Sequence, residues 1–325
     1  RYLQWQGDGS PVPEPETAIE PVTAPELRAF EDGRRHPSGP GMEAAVRKLA
    51  AGIATPARPS LVLPPRAAIA PVPAIADRPV QRMEVELIPH GEARPAFLVR
   101  PQKEKGLLVA FDDRGKEAVM DEPVIRKALG EGWAICGIDP RGVGEIAITE
   151  HGWLFATSLL LGESFVERQA ADMLAVAWAV HRAEPYKTKP MALYARGHNM
   201  ALAGAYVVAQ AGTLGRPPLD WWMLRDGFYS FRALLDRPKS APAADRLFET
   251  DDRTNRLTAF DRELPYWYLP FDALRRFDLP ELLAGAGGRG WLVDPMDGDW
   301  TPLASRGGKV PIVTAAELAN WKLPE

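Results

Sequence analysis

One cysteine in 325 residues, five histidines with none beyond position 198, and no dense basic run mark what this chain is short of. Cys136 alone closes no internal disulfide, and a chain of this length needs none to hold a core, so cysteine usage leaves the redox compartment open. No apolar run reaches the roughly 18 residues that a membrane span needs. A net charge of −4 without a cationic cluster offers no footprint for nucleic acid or an anionic membrane surface. Neither H-x-x-x-H nor C-x-x-C occurs, so no metal-ligand spacing stands out. Asp294, Asp297 and Asp299 cluster in one loop but lack the spacing and terminal Glu of a calcium loop. The glycine-rich run Gly285–Gly290 precedes a strand-like segment instead of opening a helix, so it is not a dinucleotide fingerprint. No cofactor is expected.

What is present is ordinary globular material, 46% hydrophobic and 25% charged, with prolines crowded into the first 80 positions. The opening RYLQWQGDGSPVPEPE reads as a helix end running into an acidic, proline-rich linker, so the expectation is the second half of a longer protein. Residues 42–53 suggest a short helix, and 55–79 an extended segment lying over the surface. Residues 1–80 are taken as a linker or N-terminal extension and 81–325 as the folded domain. Within that domain, Met83–Ile88 and Ala96–Val99 around His90-Gly91 predict a hairpin. Gly106–Phe111, Trp133–Ile138, Met191–Ala195, Trp221–Leu224 and Trp291–Val293 read as short buried strands. Val124–Leu129 and Arg168–His181 carry helical spacing. Strands alternating with helices predict an α/β fold, a mainly parallel sheet covered on both faces, with the hairpin adding antiparallel edge strands. Residues 226–285 read as a mixed insertion or helical segment.

The segment Met191–Ala209, MALYARGHNMALAGAYVVA, is a strand, a tight turn and an apolar helix. That is the layout of a nucleophile elbow, whose pattern is G-x-S-x-G. Here it reads Gly197-His198-Asn199-Met200-Ala201, with Asn199 at the nucleophile position. An amide has no acidic proton to lose and no oxygen to match an alkoxide.

Taken with IDPRGVGE (Ile138–Glu145), GESFVERQAADMLAVAWAV (Gly162–Val180) and DLPELLAGAGGRGWLVDPMDGDWTPL (Asp278–Leu303), the elbow makes residues 83 to 303 resemble the α/β-hydrolase superfamily. They are closest to bacterial acetyl xylan esterase-like proteins. The resemblance implies an α/β-hydrolase fold and a triad in chain order Ser…Asp/Glu…His. It places Asp297 at the acid position, with Asp294 and Asp299 as alternatives. It also calls for a later histidine, which the chain does not have. Loss of a triad member costs on the order of 10⁴–10⁶ in rate. Tandem esterases with two such domains joined by a linker similar to GDGSPVPEPE support the second-half reading, and secretion or a periplasmic location is implied in the same way.

Other residues are weighed against the missing ones. His198, beside the nucleophile position, is read as shaping the turn or the oxyanion side, and His151, after the DPRGVGE loop, as a pocket histidine or an exposed loop residue. Ser164 is read as a helix N-cap. The resemblance gives the Met200 backbone N–H as one oxyanion-hole donor, with a second from Asp112–Gly115, a stretch otherwise read as a solvated turn. Deamidation of Asn199 would supply a carboxylate but still no histidine. Tyr266–Tyr268 with Phe271, Trp221, Trp222 and Trp300 is a candidate carbohydrate-stacking surface. The leading expectation is a catalytically degenerate domain, the accessory half of a tandem carbohydrate esterase. Its partner would be an active hydrolase domain, on the same chain or another, with acetylated polysaccharide as a further ligand. The alternatives are an active esterase with a non-standard site and a carbohydrate-binding module.

Overall fold

The computed structural model describes residues 66–71, 80–88, 92–147, 164–211, 218–235, 273–297 and 310–318, with a few isolated positions between them. Nine strands pair in one sheet: β1 (Arg66–Pro71), β2 (Val80–Ile88), β3 (Glu92–Val99), β4 (Gly106–Asp112), β5 (Trp133–Ile138), β6 (Met191–Arg196), β7 (Trp221–Arg225), β8 (Arg289–Val293) and β9 (Ile312–Val313). Their spatial order is β1-β2-β3-β5-β4-β6-β7-β8-β9. The first three are antiparallel and β3 joins β5 antiparallel, while the strands from β5 across to β9 run parallel. The continuous apolar runs of β4, β5 and β6 are fully buried along almost their whole length, as strands covered on both faces must be.

The hairpin and each of the five buried strands read from sequence are present, although the turn His90-Gly91 lies outside the described residues. The stretch 55–79 contains a strand that sequence did not reveal. Residues 66–71 pair with β2 over six positions at the sheet edge. Three alanines and a proline in six residues gave no alternating pattern to read; the pairing is imposed by the neighbouring strand. The 42–53 helix lies largely outside the described residues. Within 226–285, the described parts are short helices: α5 (Phe231–Leu235), α6 (Ala273–Arg276) and α7 (Leu279–Ala284).

The remaining helices are α1 (Lys116–Val119), α2 (Pro123–Gly130), α3 (Phe165–Arg182), α4 (His198–Gln210) and α8 (Ala315–Leu318). They divide between the two faces. Leu107, Val109, Leu193 and Leu224 pack with α3, α4 and α7 in one core. Leu108, Ala110, Tyr194 and Met223 pack with α1, α2 and α8 in the other. Period-2 alternation along each strand feeds both cores. Trp221 and Trp222, taken from sequence as part of an aromatic surface, are 1% and 2% exposed. Trp221 stacks edge-on against Trp133 at 5.5 Å, and Trp222 donates its indole N–H to the Gly287 carbonyl. They are core residues on opposite faces of β7, and Tyr266–Tyr268, Phe271 and Trp300 lie outside the described residues.

The DPRGVGE loop is held by buried charge. Asp139, 1% exposed, accepts from the Lys116 backbone N–H at 2.6 Å, Lys116 Nζ at 2.8 Å and the Glu145 N–H at 3.0 Å. Gly144 sits at φ 60°, and a Cβ there would lie 2.2 Å from the Asp139 carboxyl, so only glycine fits. Arg141 chelates Asp172 on α3, which Arg94 on β3 also holds. All three charged residues of the motif, Asp139, Arg141 and Glu145, therefore fasten the loop after β5 to neighbouring elements.

Burial works against the Lys116 ammonium, but hydrogen bonds to Asp139 and Glu145 more than reverse it and raise its pKa. Lys116 in turn lowers the Glu145 carboxyl below 4.5. This contact therefore stabilises the fold above the unfolded carboxyl pKa and is lost as pH falls through the depressed one; the lysine's share is lost only in strong alkali. Urea unfolding from pH 7 to pH 3 should show Glu145→Gln less stable at neutral pH, by under about 1 kcal/mol because Glu145 is half exposed. The gap should close towards pH 3; a gap unchanged across that range would refute the linkage.

Candidate functional site

Strands β5 and β6 lie on opposite sides of β4, so connections leaving the carboxyl ends of β4 and β6 part at a topological switch point. Ligands of open α/β sheets bind in that crevice. Two sequence features meet there: the turn Asp112–Gly115 after β4 and the Gly197-His198-Asn199-Met200 turn after β6. Phe111 and Asp112 pair in register with Ala195 and Arg196, and the Asp113 N–H continues the ladder to the Arg196 carbonyl at 3.1 Å.

The turn after β6 is an elbow in geometry as well as in sequence. Gly197 has φ 98° and precedes helix α4 directly. It supplies no capping side chain, so the first N–H groups of α4 look for an acceptor elsewhere. They find Asp113. The Asn199 N–H donates to Asp113 Oδ2 at 3.1 Å and the Met200 N–H to Oδ1 at 2.7 Å. A Cβ at position 197 would stand 2.3 Å from Asp113 Cγ, so the glycine makes room for the carboxylate. The Met200 N–H, expected to donate to an oxyanion, thus already holds an internal anion. Asn199 itself is 6% exposed, with its side-chain oxygen unmatched among the described residues.

Of the stretch Asp112–Lys116, read from sequence as a solvated turn, Asp113 and Arg114 are exposed, but the charged residues at its two ends are buried. Asp112 is 1% exposed and takes a two-pronged contact from Arg114, with Nε at 2.9 Å and Nη2 at 2.8 Å. Lys116 is buried at 2%. Two acidic and then two basic residues read as solvent-facing because sequence does not show that neighbouring elements bring countercharges to them.

Beside the elbow lies a second charged group that sequence reading missed. Glu122, 3% exposed at the start of α2, accepts from Tyr194 Oη at 2.9 Å and Arg225 Nη1 at 2.7 Å. It also accepts from Arg114 at 3.3 Å and from Arg196. Arg196 in turn reaches Asp226 at 2.8 Å. Arg196 and Arg225 are the last residues of β6 and β7, so one carboxylate gathers the ends of two strands and the turn after a third. Burial, then the charge of Glu122, push the Tyr194 hydroxyl well above its ordinary range, so it stays a donor. Such buried carboxylates are costly unless fully paired, and this one is.

The other expected site residues separate. Asp294 adopts φ 44° and its carboxylate accepts from the Ala315 N–H at 3.1 and 3.3 Å, so it is committed to the start of α8. Asp297 is half-buried and follows Met296, whose backbone bonds to Gly227 and Tyr229 set it beside the loop after β7. The His198 ring lies 5.9 Å from Phe228 in that same loop. The loops after β6, β7 and β8 therefore run side by side, while the side chain of Asp294 keeps its own partner in α8. His151 and Asp299 lie outside the described residues. Ser164 stands at the N-cap of α3 as expected but makes no capping bond with its side chain. Burial pushes the Cys136 thiol up to about 12, so it offers no thiolate nucleophile at neutral pH. Among the described residues no group of His, Cys, Asp and Glu is placed to hold a metal ion.

Glu122→Ala would leave three arginines without their shared carboxylate. Because those guanidiniums reach solvent in part, the expected loss is below the 3–5 kcal/mol of a fully buried pair, at about 2–3 kcal/mol. Urea unfolding measures it, and a loss under about 0.5 kcal/mol would show that Glu122 does not bind the strand ends together.

No family model and no curated protein matches the sequence. Solved structures do match. An acetyl xylan esterase from Paenibacillus sp. R4 superposes with a TM-score of 0.50 and 14% identity, over 84% of this chain and 85% of that one. A Bacteroides fragilis protein, provisionally assigned as an acetyl xylan esterase, gives 0.49 and 12% over 78% and 67%. Dienelactone hydrolase from Anabaena variabilis gives 0.39 and 10% over 66% and 74%. Identities this low speak to architecture alone, and the first of these matches, together with the sheet order and the elbow, establishes it: the chain has the α/β-hydrolase fold of acetyl xylan esterases and related esterases.

Proposed function

We propose that this chain is a catalytically degenerate α/β-hydrolase domain, the accessory half of a carbohydrate esterase that packs against an active hydrolase domain. The observation that carries the reading is the Asp113 carboxylate on the N–H groups of Asn199 and Met200. Acyl transfer needs donors aimed at the place where a negative charge develops. Here one such donor already serves a fixed carboxylate. An incoming oxyanion would have to displace that carboxylate and would be repelled by it. Asn199 at the nucleophile position and the absence of any histidine after residue 198 support the same conclusion independently. The fold is retained without the chemistry: the DPRGVGE loop, the elbow glycine and the strand-end charges all have structural partners. A domain kept for its shape fits an accessory role, with acetylated polysaccharide as the substrate of the complete esterase.

The test is hydrolysis of 4-nitrophenyl acetate by the purified chain and by Asn199→Ser. Both should be no faster than a heat-denatured control, because a serine alone restores neither a base nor an empty oxyanion hole. Turnover by the native chain that Asn199→Ala abolishes would overturn the reading.

A further inference from the structure

The elbow lies at the carboxyl ends of the parallel strands. At their amino ends opens a groove of about 750 Å³. One wall is the connection Val99–Lys103 that leaves β3, and the other is helix α2 with the turn Glu131-Gly132 after it. The walls are joined at the base. The Lys105 N–H donates to the Gly132 carbonyl at 2.6 Å, and a Cβ on Gly132, at φ 96°, would stand 2.9 Å from the Lys103 carbonyl. Val99, Pro101 and Leu129 line the groove with apolar side chains, and among the described residues no aromatic ring lines it.

Its charge is one-sided. Arg100, Lys103 and Arg126 face a single lining acid, Glu131, in a chain whose net charge is −4. Arg100 donates to Glu104, but Lys189 holds the other oxygen of that carboxylate at 2.9 Å, so one of these two positive charges is in excess. Arg126 commits Nη1 to the neutral backbone carbonyls of Met120 and Asp121, at 3.0 and 2.7 Å. Lys103 is exposed and touches no carboxylate among the described residues. Nor do these cations serve the end of α2, because the N–H groups of Glu131 and Gly132 already take the carbonyls of Lys127, Ala128 and Leu129.

We propose that this groove docks an extended acidic segment of a partner protein, with carboxylates on Arg100, Lys103 and Arg126 and an apolar side chain against Val99, Pro101 and Leu129. Helix α2 has eight residues, about 12 Å, which an extended chain spans in about four. The groove is an open trough, whereas small-molecule sites enclose most of their ligand. An acidic sugar would match the charge but find no ring on which to stack. The site is at the opposite end of the strands from the elbow and does not rest on the degenerate-site reading.

Fluorescence anisotropy of a labelled peptide EPELEPE, titrated with the full chain at pH 7, tests this. The peptide should bind saturably in about 50 mM salt and weaken by about tenfold or more in about 300 mM salt. The peptide KPKLKPK should not bind. Lys103→Glu combined with Arg126→Glu should weaken the acidic peptide by about tenfold. If that variant does not fold, Lys103→Glu alone, with an expected loss of about threefold, carries the comparison. The proposal is overturned if the acidic peptide shows no saturable binding, or if charge reversal leaves its affinity unchanged. Tighter binding of an oligogalacturonate with the same number of carboxylates would overturn it as well, since the ligand would then be a polysaccharide.

Discussion

The Asp113 carboxylate, laid across the N–H groups of Asn199 and Met200, ties the carboxyl end of β4 to the start of the helix after β6. Those two strands are neighbours at the switch point of the sheet, the place where an enzyme of this fold keeps its reactive centre. Two orphan donors of a helix end must be satisfied in any case. A hydrolase of this fold keeps such a donor ready for a charge that appears only during reaction. This chain satisfies them permanently from within. One pair of hydrogen bonds both caps helix α4 and joins it to the turn after β4.

Around that contact the charges are arranged for rigidity. Glu122 collects Arg196, Arg225 and Arg114; Asp139 collects Lys116 and the backbone of the DPRGVGE loop; Asp172 collects Arg94 and Arg141. Each buried carboxylate faces more than one donor, which is what makes burial of charge tolerable. Together they tie down the loops that leave the carboxyl ends of the strands. At these strand ends Asp112, Glu122 and Asp139 are matched, while the Asn199 amide oxygen is unmatched among the described residues and Asp226 and Asp294 hold positive φ.

The sheet was legible because its strands are short apolar runs separated by helices of clear period, and Gly197 betrayed the elbow through its place between an apolar strand and an apolar helix. The lack of a histidine after position 198 was legible too, since it is a property of the sequence and not of its folding. What sequence hid was pairing at a distance. Asp113 and Asn199 are 86 positions apart, and Glu122 and Arg225 are 103 apart. A turn of four charged residues looks solvated throughout until the register of β4 against β6 is known. Trp221 and Trp222 misled for the related reason that composition does not separate a core aromatic from a displayed one. Strand β1 escaped because proline and alanine carry no strand signal, and only the edge of β2 orders that segment as a strand.

Amide hydrogen exchange at Asn199 and Met200 reads the central contact directly. N–H groups in the first turn of a helix ordinarily exchange fast, since no carbonyl of the helix protects them. With the carboxylate in place, both amides should be protected in the native chain, and Asp113→Ala should release both while leaving amides in the middle of α4 unchanged. Equal, unprotected exchange of these two amides in the native chain and the variant would contradict the account, because the carboxylate would then not hold them in solution.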